Sequence, residues 1–110
     1  MARKAETVFK ERIKPQIDAL PNTWCVKIQQ VVIRGTPDFL ICCNSHFIAI
    51  ELKAREKDKA SELQEYTLKK ISKAGGIAMI VYPENWDAAY EFLHTLATKG
   101  YDAIKDKTFQ

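Results

Sequence analysis

Residues 35–53 read GTPDFLICCNSHFIAIELK, and this stretch decides the fold. Two apolar runs rich in β-branched and aromatic residues flank a short polar break at residues 44–46, a pattern typical of a β-hairpin. Asp38 begins the first run and Glu51 ends the second. Because the far ends of the two strands of a hairpin lie side by side, we expect these acids to be neighbours.

The register of this hairpin decides whether the two acids share a face of the sheet. If residues 44–45 form a two-residue loop, Asp38 lies directly opposite Glu51. A slip of one residue would carry Asp38 to the side of Leu52 and separate the acids. Alternation along the second strand places on one face Phe47, Ala49, Glu51 and Lys53, and on the other Ile48, Ile50 and Leu52.

An acid pair of this kind needs a positive charge beside it. Two bare carboxylates held close together repel each other, so Asp38 and Glu51 would not stay paired without a cation between them. A hard divalent cation bound through oxygen ligands fits, and Mg²⁺ is the expected ion. Lys53 shares the face of Glu51, one step further along. The sequence therefore predicts two carboxylates and an ammonium at the open end of an apolar β-hairpin.

The composition is that of a small globular protein. With 110 residues, of which 46% are hydrophobic and 28% charged, the chain predicts a single domain over residues 1–110. The net charge of +3 indicates nucleic acid only faintly. No apolar run approaches the roughly 18–20 residues of a membrane span, and the polar N-terminus is not a signal peptide. We therefore expect no membrane partner and a cytoplasmic location.

Three cysteines lie in predicted strands, at Cys25, Cys42 and Cys43. The last two are neighbours and point to opposite faces of their strand. Because no CxxC or His/Cys spacing favours a zinc site, we expect all three to be buried, reduced thiols.

A helix and a strand are predicted before the hairpin. The helix covers residues 2–20, and Pro15 should kink or split it. Its apolar stripe consists of Val8 or Phe9, with Ile13, Ile17 and Leu20. After a break, residues 24–28 form the first strand, and residues 31–33 extend or repeat it.

Three elements are predicted after the hairpin. A helix over residues 61–74 begins at the N-cap Ser61 and ends before Gly75-Gly76. Residues 77–82 are a continuous apolar run, interpreted as a buried central strand that closes a β-α-β unit. A third helix over residues 86–97 covers a sheet face or forms a subunit interface, and we expect the polar tail over residues 101–110 to fray.

Gln64 falls inside the apolar arc of the second predicted helix. At about 100° per residue, that arc also contains Leu63, Leu68, Ile71 and Ala74. A buried amide without partners costs about 1–3 kcal/mol, so we expect Gln64 to be hydrogen-bonded. Its partners are either backbone groups of the core or the end of the hairpin that carries Glu51 and Lys53.

The hairpin also carries a family resemblance. Pro37-Asp38, a gap of a dozen residues and Glu51-Leu52-Lys53 are similar to the PD-(D/E)XK nuclease signature. With Gly35-Thr36 before it and Gln64 after it, the pattern resembles the VRR-Nuc (virus-type replication-repair nuclease) branch, which is related to the Holliday-junction resolvases. This resemblance spans roughly residues 6–82 and implies an α/β fold with a restriction-endonuclease-like αβββαβ core, in which helices flank a mixed central sheet.

The same resemblance implies a metal-dependent endonuclease that hydrolyses DNA phosphodiester bonds. Asp38 and Glu51 would hold Mg²⁺ or Mn²⁺ together with the backbone carbonyl of Leu52. Lys53 would orient the attacking water and offset charge on the phosphate, for which its compact ammonium is well suited. Gln64 would help to position the water, the lysine or the substrate.

A glutamate on the first helix serves this family as an extra acid near the metal. Glu6 matches the expected spacing to the apolar stripe better than Glu11 does, although either acid could simply solvate the helix. A second metal ion bound with Glu6 would stabilise the leaving oxygen, and the sequence leaves open whether one ion or two bind.

Basic residues beside the hairpin are candidates for phosphate contacts. Arg34 precedes it, and Arg55 and Lys57 lie in the charged run at residues 54–60, which is either a solvated loop or a phosphate-binding one. The partner implied by the resemblance is DNA, cut according to its structure (branched, flap or junction) in replication, repair or recombination. The small family members are expected to be homodimers, and a viral or phage protein would work in the host cytoplasm.

Two other classes of protein remain as alternatives. A non-catalytic nucleic-acid-binding module could keep the same fold, but it would be expected to lose at least one of Asp38, Glu51 and Lys53, which are all present. A structural or interaction protein would carry Glu51 and Lys53 as an exposed pair that contributes little to stability.

Overall fold

The computed structural model describes residues 4–29 and 33–107, so the predicted strand extension over residues 31–33 falls mostly outside it. The fold is α/β, with helices flanking a four-stranded mixed sheet, as predicted. The helices and strands are α1 (Ala5–Asp18), β1 (Thr23–Lys27), β2 (Phe39–Cys43), β3 (His46–Leu52), α2 (Glu62–Lys73), β4 (Ile77–Val81) and α3 (Trp86–Lys99). Short 3₁₀ helices at Pro83–Asn85 and Tyr101–Ala103 flank α3.

The strands follow the order β1-β2-β3-β4 across the sheet. β2 pairs antiparallel with β1 and with β3, whereas β4 pairs parallel with β3 because α2 crosses between them. The prediction of a central strand over residues 77–82 is wrong, since β4 lies at the end of the sheet of described strands. Its apolar run is continuous because Met79 and Val81 face the core while Ile80 lies on the side that α2 covers.

The predicted hairpin and its register are confirmed. β2 and β3 are joined by a two-residue loop, and Phe39 pairs with Ile50 near the open end. Both loop residues have left-handed backbone conformations, with φ of 47° and 74°, which favoured two-residue hairpin loops require. Continuing the register by one residue sets Asp38 opposite Glu51. The one-residue slip that would have separated the acids does not occur.

The two faces of the sheet are covered by different helices. α1 and α3 enclose the main core on one face, and its largest fully buried side chains are Phe39, Ile13, Ile17, Ile41, Ile48, Ile50, Leu52, Met79, Leu93, Leu96 and Val81. α2 packs on the other face, chiefly against β4 and β3. β3 is therefore buried on both sides, and Ala49 and Glu51 are almost as inaccessible on the α2 side as Ile50 is in the core.

α1 is a single helix that runs through Pro15, so the predicted split is absent. Pro15 lies in the last turn, where its missing N–H removes only one intrahelical hydrogen bond. Phe9, not Val8, belongs to the buried stripe: Phe9 is 3% exposed and Val8 is 45% exposed.

Cys42 is exposed, which corrects the prediction of three buried thiols; Cys25 and Cys43 are buried. Cys42 points to the α2 side of the sheet, and its cross-strand neighbours Trp24 and Phe47 are exposed as well. The physical reason is that α2 packs mainly on β3 and β4 and leaves the β1–β2 part of that face open.

The second helix and the tail also differ in detail from the predictions. α2 begins at its N-cap Ser61 as expected, but of its apolar arc only Leu68 is buried, while Leu63 is 43% exposed. The tail is anchored within the described residues because Ile104 is 2% exposed in the core and the Tyr101 ring stacks on His46. Two side chains thus anchor a segment whose polar composition predicted fraying.

Candidate functional site

A stiff turn positions Asp38 at the open end of the hairpin. Gly35 has a φ of 84°, and a Cβ there would lie 2.8 Å from a side-chain carbon and 2.9 Å from the carbonyl oxygen of Leu63 in α2. Pro37 is buried and fixes its own φ directly before the acid. The Leu52 N–H donates to Asp38 Oδ2 at 2.8 Å. Asp38 is therefore held by the backbone of both strands.

Glu51 is buried, with 3% of its surface exposed. Its Oε2 accepts a hydrogen bond of 2.7 Å from Gln64 Nε2 and lies 3.7 Å from Lys53 Nζ. The Asp38 carboxyl group is close enough to interact with Glu51 and contributes to the raised pKa of that acid. The structure therefore brings together the four residues that the sequence pattern selects, Asp38, Glu51, Lys53 and Gln64.

The acids at this site crowd one another. Burial raises the pKa of Glu51 to about 8, and the nearby Asp38 carboxylate adds to the rise, whereas Lys53 opposes it. Burial also raises the pKa of Glu6, again with a contribution from Asp38 that Lys53 and Lys10 oppose. Because Glu51 favours its neutral form although Lys53 is nearby, an additional positive charge would be needed to keep it ionised.

Gln64 links the cap of α2 to the acid pair. Its N–H donates to Ser61 Oγ at 3.1 Å, and its Oε1 accepts from the Ser61 N–H at 2.9 Å, which forms a capping box. The same Oε1 accepts from Lys53 Nζ at 3.1 Å, while Nε2 donates to Glu51. Both predicted kinds of partner are present, and the Ser-x-x-Gln spacing was the signal in the sequence for the cap.

The backbone around Lys53 is part of the sheet. Leu52 turns its side chain into the core and its N–H toward Asp38, and the Lys53 N–H donates to the Val81 carbonyl at 2.9 Å. The Lys53 side chain is 13% exposed. Its ammonium is thus held between Glu51 and Gln64 by a rigid strand end.

Lys10 of α1 also belongs to the site, and the sequence reasoning missed it. Its Nζ lies 2.8 Å from Asp38 Oδ1, with 19% of the Lys10 side chain and 16% of the Asp38 side chain exposed. The available signal was its position one turn after Glu6, which places both side chains on one face of α1. Which lysine of α1 meets Asp38 depends on how the helix packs on the sheet.

The structure places Glu6 near the site. Glu6 is partly buried at the start of α1 and interacts electrostatically with Asp38, Lys53 and Lys10. Glu11 is exposed and lies about 100° round the helix axis from Lys10. The choice of Glu6 as the acid of the first helix therefore agrees with its position.

The three predicted phosphate-contacting residues are exposed: Arg34, Arg55 and Lys57. Arg55 Nη2 lies 3.4 Å from Asp58 Oδ1. Arg55 and Lys57 also line an open cavity with Glu56 and Glu84. Because acids share this loop and this cavity, the loop attracts phosphate less strongly than its basic residues alone would.

The oxygen donors at the open end of the hairpin suit a hard divalent cation. Asp38 lies opposite Glu51 in the hairpin register and adds to the rise of its pKa, and a buried acid pushed toward its neutral form is stabilised as an anion by a nearby cation. Among the described residues, no group of three or more His, Cys, Asp and Glu side chains is arranged to hold a metal ion. The side-chain ligands that this end of the hairpin offers to an ion are therefore two carboxylates.

Comparisons of the chain with protein-family profiles, curated protein sequences and solved structures found no match. Within residues 4–29 and 33–107, no helix is long and apolar enough to cross a membrane. The class of the protein therefore has to be argued from the chemistry of this site.

Proposed function

We propose that the protein is a metal-dependent nuclease that hydrolyses DNA phosphodiester bonds, on a restriction-endonuclease-like core of the PD-(D/E)XK, VRR-Nuc type. The observation that carries this proposal is the cluster of Asp38, Glu51, Lys53 and Gln64 at one end of the hairpin. Gln64 is hydrogen-bonded to both Glu51 and Lys53, and the Asp38 carboxyl group interacts with that of Glu51. A buried acid whose pKa is raised by burial and by a neighbouring carboxylate is typical of a functional site.

Each member of the cluster has a role in this chemistry. Asp38 and Glu51 would hold Mg²⁺ or Mn²⁺, which when bound supplies positive charge to the scissile phosphate and to the attacking water. Lys53 keeps a compact ammonium beside Glu51, where it can orient that water and offset charge that develops on the phosphate. Gln64 fixes the positions of Lys53 and Glu51 and so sets the geometry of both.

The charge balance of the site supports an anionic substrate bound through a cation. The raised pKa of Glu51, caused first by burial, means that the site binds a cation or a proton readily. Arg34 adds an exposed positive charge in the turn that leads to Asp38. The net charge of +3 fits a polyanionic substrate, and the substrate proposed here is DNA selected by its shape, as branched, flap or junction DNA.

A homodimer is part of this proposal, because two-fold symmetry would suit a symmetric branched substrate. Sedimentation equilibrium of the purified protein measures the mass directly. A dimer mass supports cleavage of paired strands in a junction, and a monomer mass restricts the proposal to flaps and single-strand cuts.

The test is cleavage of labelled single-stranded, duplex, flap and four-way-junction DNA with Mg²⁺ or Mn²⁺ and with EDTA. We expect metal-dependent products from the wild type and a loss of at least about 100-fold in Lys53→Ala, the scale of one transition-state donor. Lys69→Ala is the matched control, since Lys69 is an exposed lysine on α2. Equal cleavage by the wild type and Lys53→Ala would defeat the mechanism, and tight DNA binding without cleavage would favour the non-catalytic module.

A further inference from the structure

Lys10 has a place in the site that the proposed chemistry does not use. Resting on the proposed function, we propose that the Lys10 ammonium is the resident counter-ion of Asp38, that a divalent cation binds by displacing it, and that the displaced ammonium then pairs with Glu6. Metal binding would thus be coupled to a switch of one lysine between two acids.

The first argument is the position of the ammonium. Lys10 Nζ lies 2.8 Å from Asp38 Oδ1, and both side chains are largely buried. A divalent cation on that oxygen would lie within a few ångströms of the Lys10 ammonium and take the position that the ammonium now holds, and the repulsion between the two charges favours departure of the lysine. The ion pair and the metal complex of Asp38 are therefore alternatives.

The second argument is that the site is already complete. In the described part of the chain, every buried side-chain nitrogen and oxygen has a hydrogen-bond partner. Asp38 uses one oxygen for Lys10 and the other for the Leu52 N–H, and Glu51 is bonded to Gln64. A cation that binds here replaces an existing partner.

The partner that can leave is Lys10. The Leu52 N–H is fixed by the sheet, and Gln64 is fixed by the capping box of α2. Lys10 reaches Asp38 from α1 through a flexible side chain of four carbons. Its ammonium is a point charge, so another anion could replace Asp38 as its partner.

Glu6 is an alternative partner for Lys10 on the same helix. It precedes Lys10 by four residues on α1, the spacing and the order in which a glutamate and a lysine attract each other best on a helix. Glu6 also interacts electrostatically with Lys10 in the present arrangement. This role differs from direct metal ligation by Glu6, and the two can be separated by measurement.

The first test is calorimetric titration of Mn²⁺ into metal-free protein without DNA. We expect Lys10→Met to bind Mn²⁺ about 5- to 10-fold more tightly than the wild type, at the lower end of typical coupling between two sites. Lys14→Met is the matched control, because Lys14 lies on the same helix, is paired with Asp18 at 2.8 Å and carries the same charge. Its affinity should equal that of the wild type.

Glu6→Gln in two backgrounds separates the switch from direct ligation. If Glu6 receives the displaced ammonium, Glu6→Gln weakens Mn²⁺ binding in the wild type and has no effect in Lys10→Met. If Glu6 is a metal ligand, the weakening is the same in both backgrounds, and the second half of the proposal is overturned.

A measurement on the wild type covers the case in which Lys10→Met does not fold. Acetylation of lysines by an N-hydroxysuccinimide ester, read by mass spectrometry, should become several-fold faster at Lys10 in saturating Mg²⁺ and stay unchanged at Lys14, whose side chain is 25% exposed. Mn²⁺ binding that Lys10→Met does not tighten, or Lys10 acetylation that Mg²⁺ does not change, would overturn the inference and leave the nuclease proposal standing. No Mn²⁺ binding by any variant would overturn both.

Discussion

At the scale of single residues, the properties of the site follow from the burial of Glu51. An acid with 3% of its surface exposed has lost most of its hydration, and its neighbours include a second carboxylate. Its partners Gln64 and Lys53 offset only part of that cost. In the metal-free protein, the ionised form of Glu51 therefore destabilises the fold. A bound cation would favour that ionised form.

The stability of the metal-free protein should depend on pH through Glu51. Burial raises its pKa from 4.5 to about 8, so the folded chain holds this proton more tightly than the unfolded chain. The stability that the group contributes is complete below about pH 4.5 and is lost as the pH rises through about 8. Glu51→Gln removes this dependence and should be more stable than the wild type near pH 8, by about 1–4 kcal/mol.

Urea denaturation in EDTA at about pH 5, 6.5 and 8 measures this difference. Asp87→Asn, at an exposed acid in the first turn of α3, controls for the general loss of a negative charge. Parallel stability curves for the wild type and Glu51→Gln over this range would show that the acid is not buried as described.

Gln64 should contribute to both stability and catalysis, whereas its capping partner Ser61 should contribute to stability alone. Gln64→Ala removes its bonds to Glu51, Lys53 and the Ser61 N–H, and we expect a loss of about 1–3 kcal/mol together with loss of cleavage. Ser61→Ala removes the other half of the cap but leaves the contacts of Gln64 with the acid pair, so it should cost about 1 kcal/mol and keep cleavage. Thermal denaturation and cleavage rates of both variants decide the matter, and equal cleavage losses would contradict a positioning role.

The convergence of three site residues, Asp38, Glu51 and Lys53, could be predicted from the sequence because two simple rules sufficed. The two-residue loop set the register of Asp38 against Glu51, and alternation placed Lys53 on the face of Glu51. Lys10 could not be predicted in this way, because its contact with Asp38 depends on the rotation and height of α1 over the sheet. Helical spacing narrows the choice to one face of α1 but does not determine what that face meets.

At the scale of elements, the turn before β2 matters as much as the hairpin itself. Gly35 combines a positive φ with a close approach to Leu63 of α2, so the turn that aims Asp38 also contacts the helix that carries Gln64. A change in this contact should therefore alter the positions of both Asp38 and Gln64.

Gly35→Ala should be more harmful than Gly75→Ala. Both glycines have positive φ values, 84° and 101°, so alanine is strained by about 1–2 kcal/mol at either position. A Cβ on Gly35 meets atoms of Leu63 at under 3.0 Å, whereas Gly75 has nothing within 4 Å. We expect a further cost of about 1–3 kcal/mol in Gly35→Ala from overpacking. Denaturation midpoints measure both, and equal losses would mean that the turn and α2 are not in contact.

The errors at this scale have a common cause. The sequence shows which residues are apolar but not how far a covering helix extends, so Cys42 was expected to be buried although α2 leaves that part of the sheet open. β4 was expected to be central because its run is apolar throughout. A strand at the end of a sheet has the same composition when helices cover both of its faces.

At the scale of the whole molecule, the two faces of the sheet have different roles. One face, under α1 and α3, contains the main apolar core, and the opposite face under α2 contains Glu51 and its partners. The N-terminal parts of α1 and α2 reach the open end of the hairpin from the two sides, through Lys10 and Gln64. Three separate elements thus converge on the carboxylate pair.

The overall architecture was predictable because each local pattern agreed with it. A polar break between two apolar runs predicted the hairpin, and a strand, a helix and a strand predicted the parallel pairing of β3 with β4. The tail was not predictable, because only two side chains of its described part, Ile104 in the core and Tyr101 stacked on His46, are seen to anchor it.

Asp38 and Glu51 are proposed to hold a divalent cation together. An anomalous difference map from crystals grown with Mn²⁺ would locate such an ion. We expect a manganese peak in contact with both carboxylates, with Lys10 turned away from Asp38. A map at saturating Mn²⁺ with no peak at these two residues would contradict this proposal.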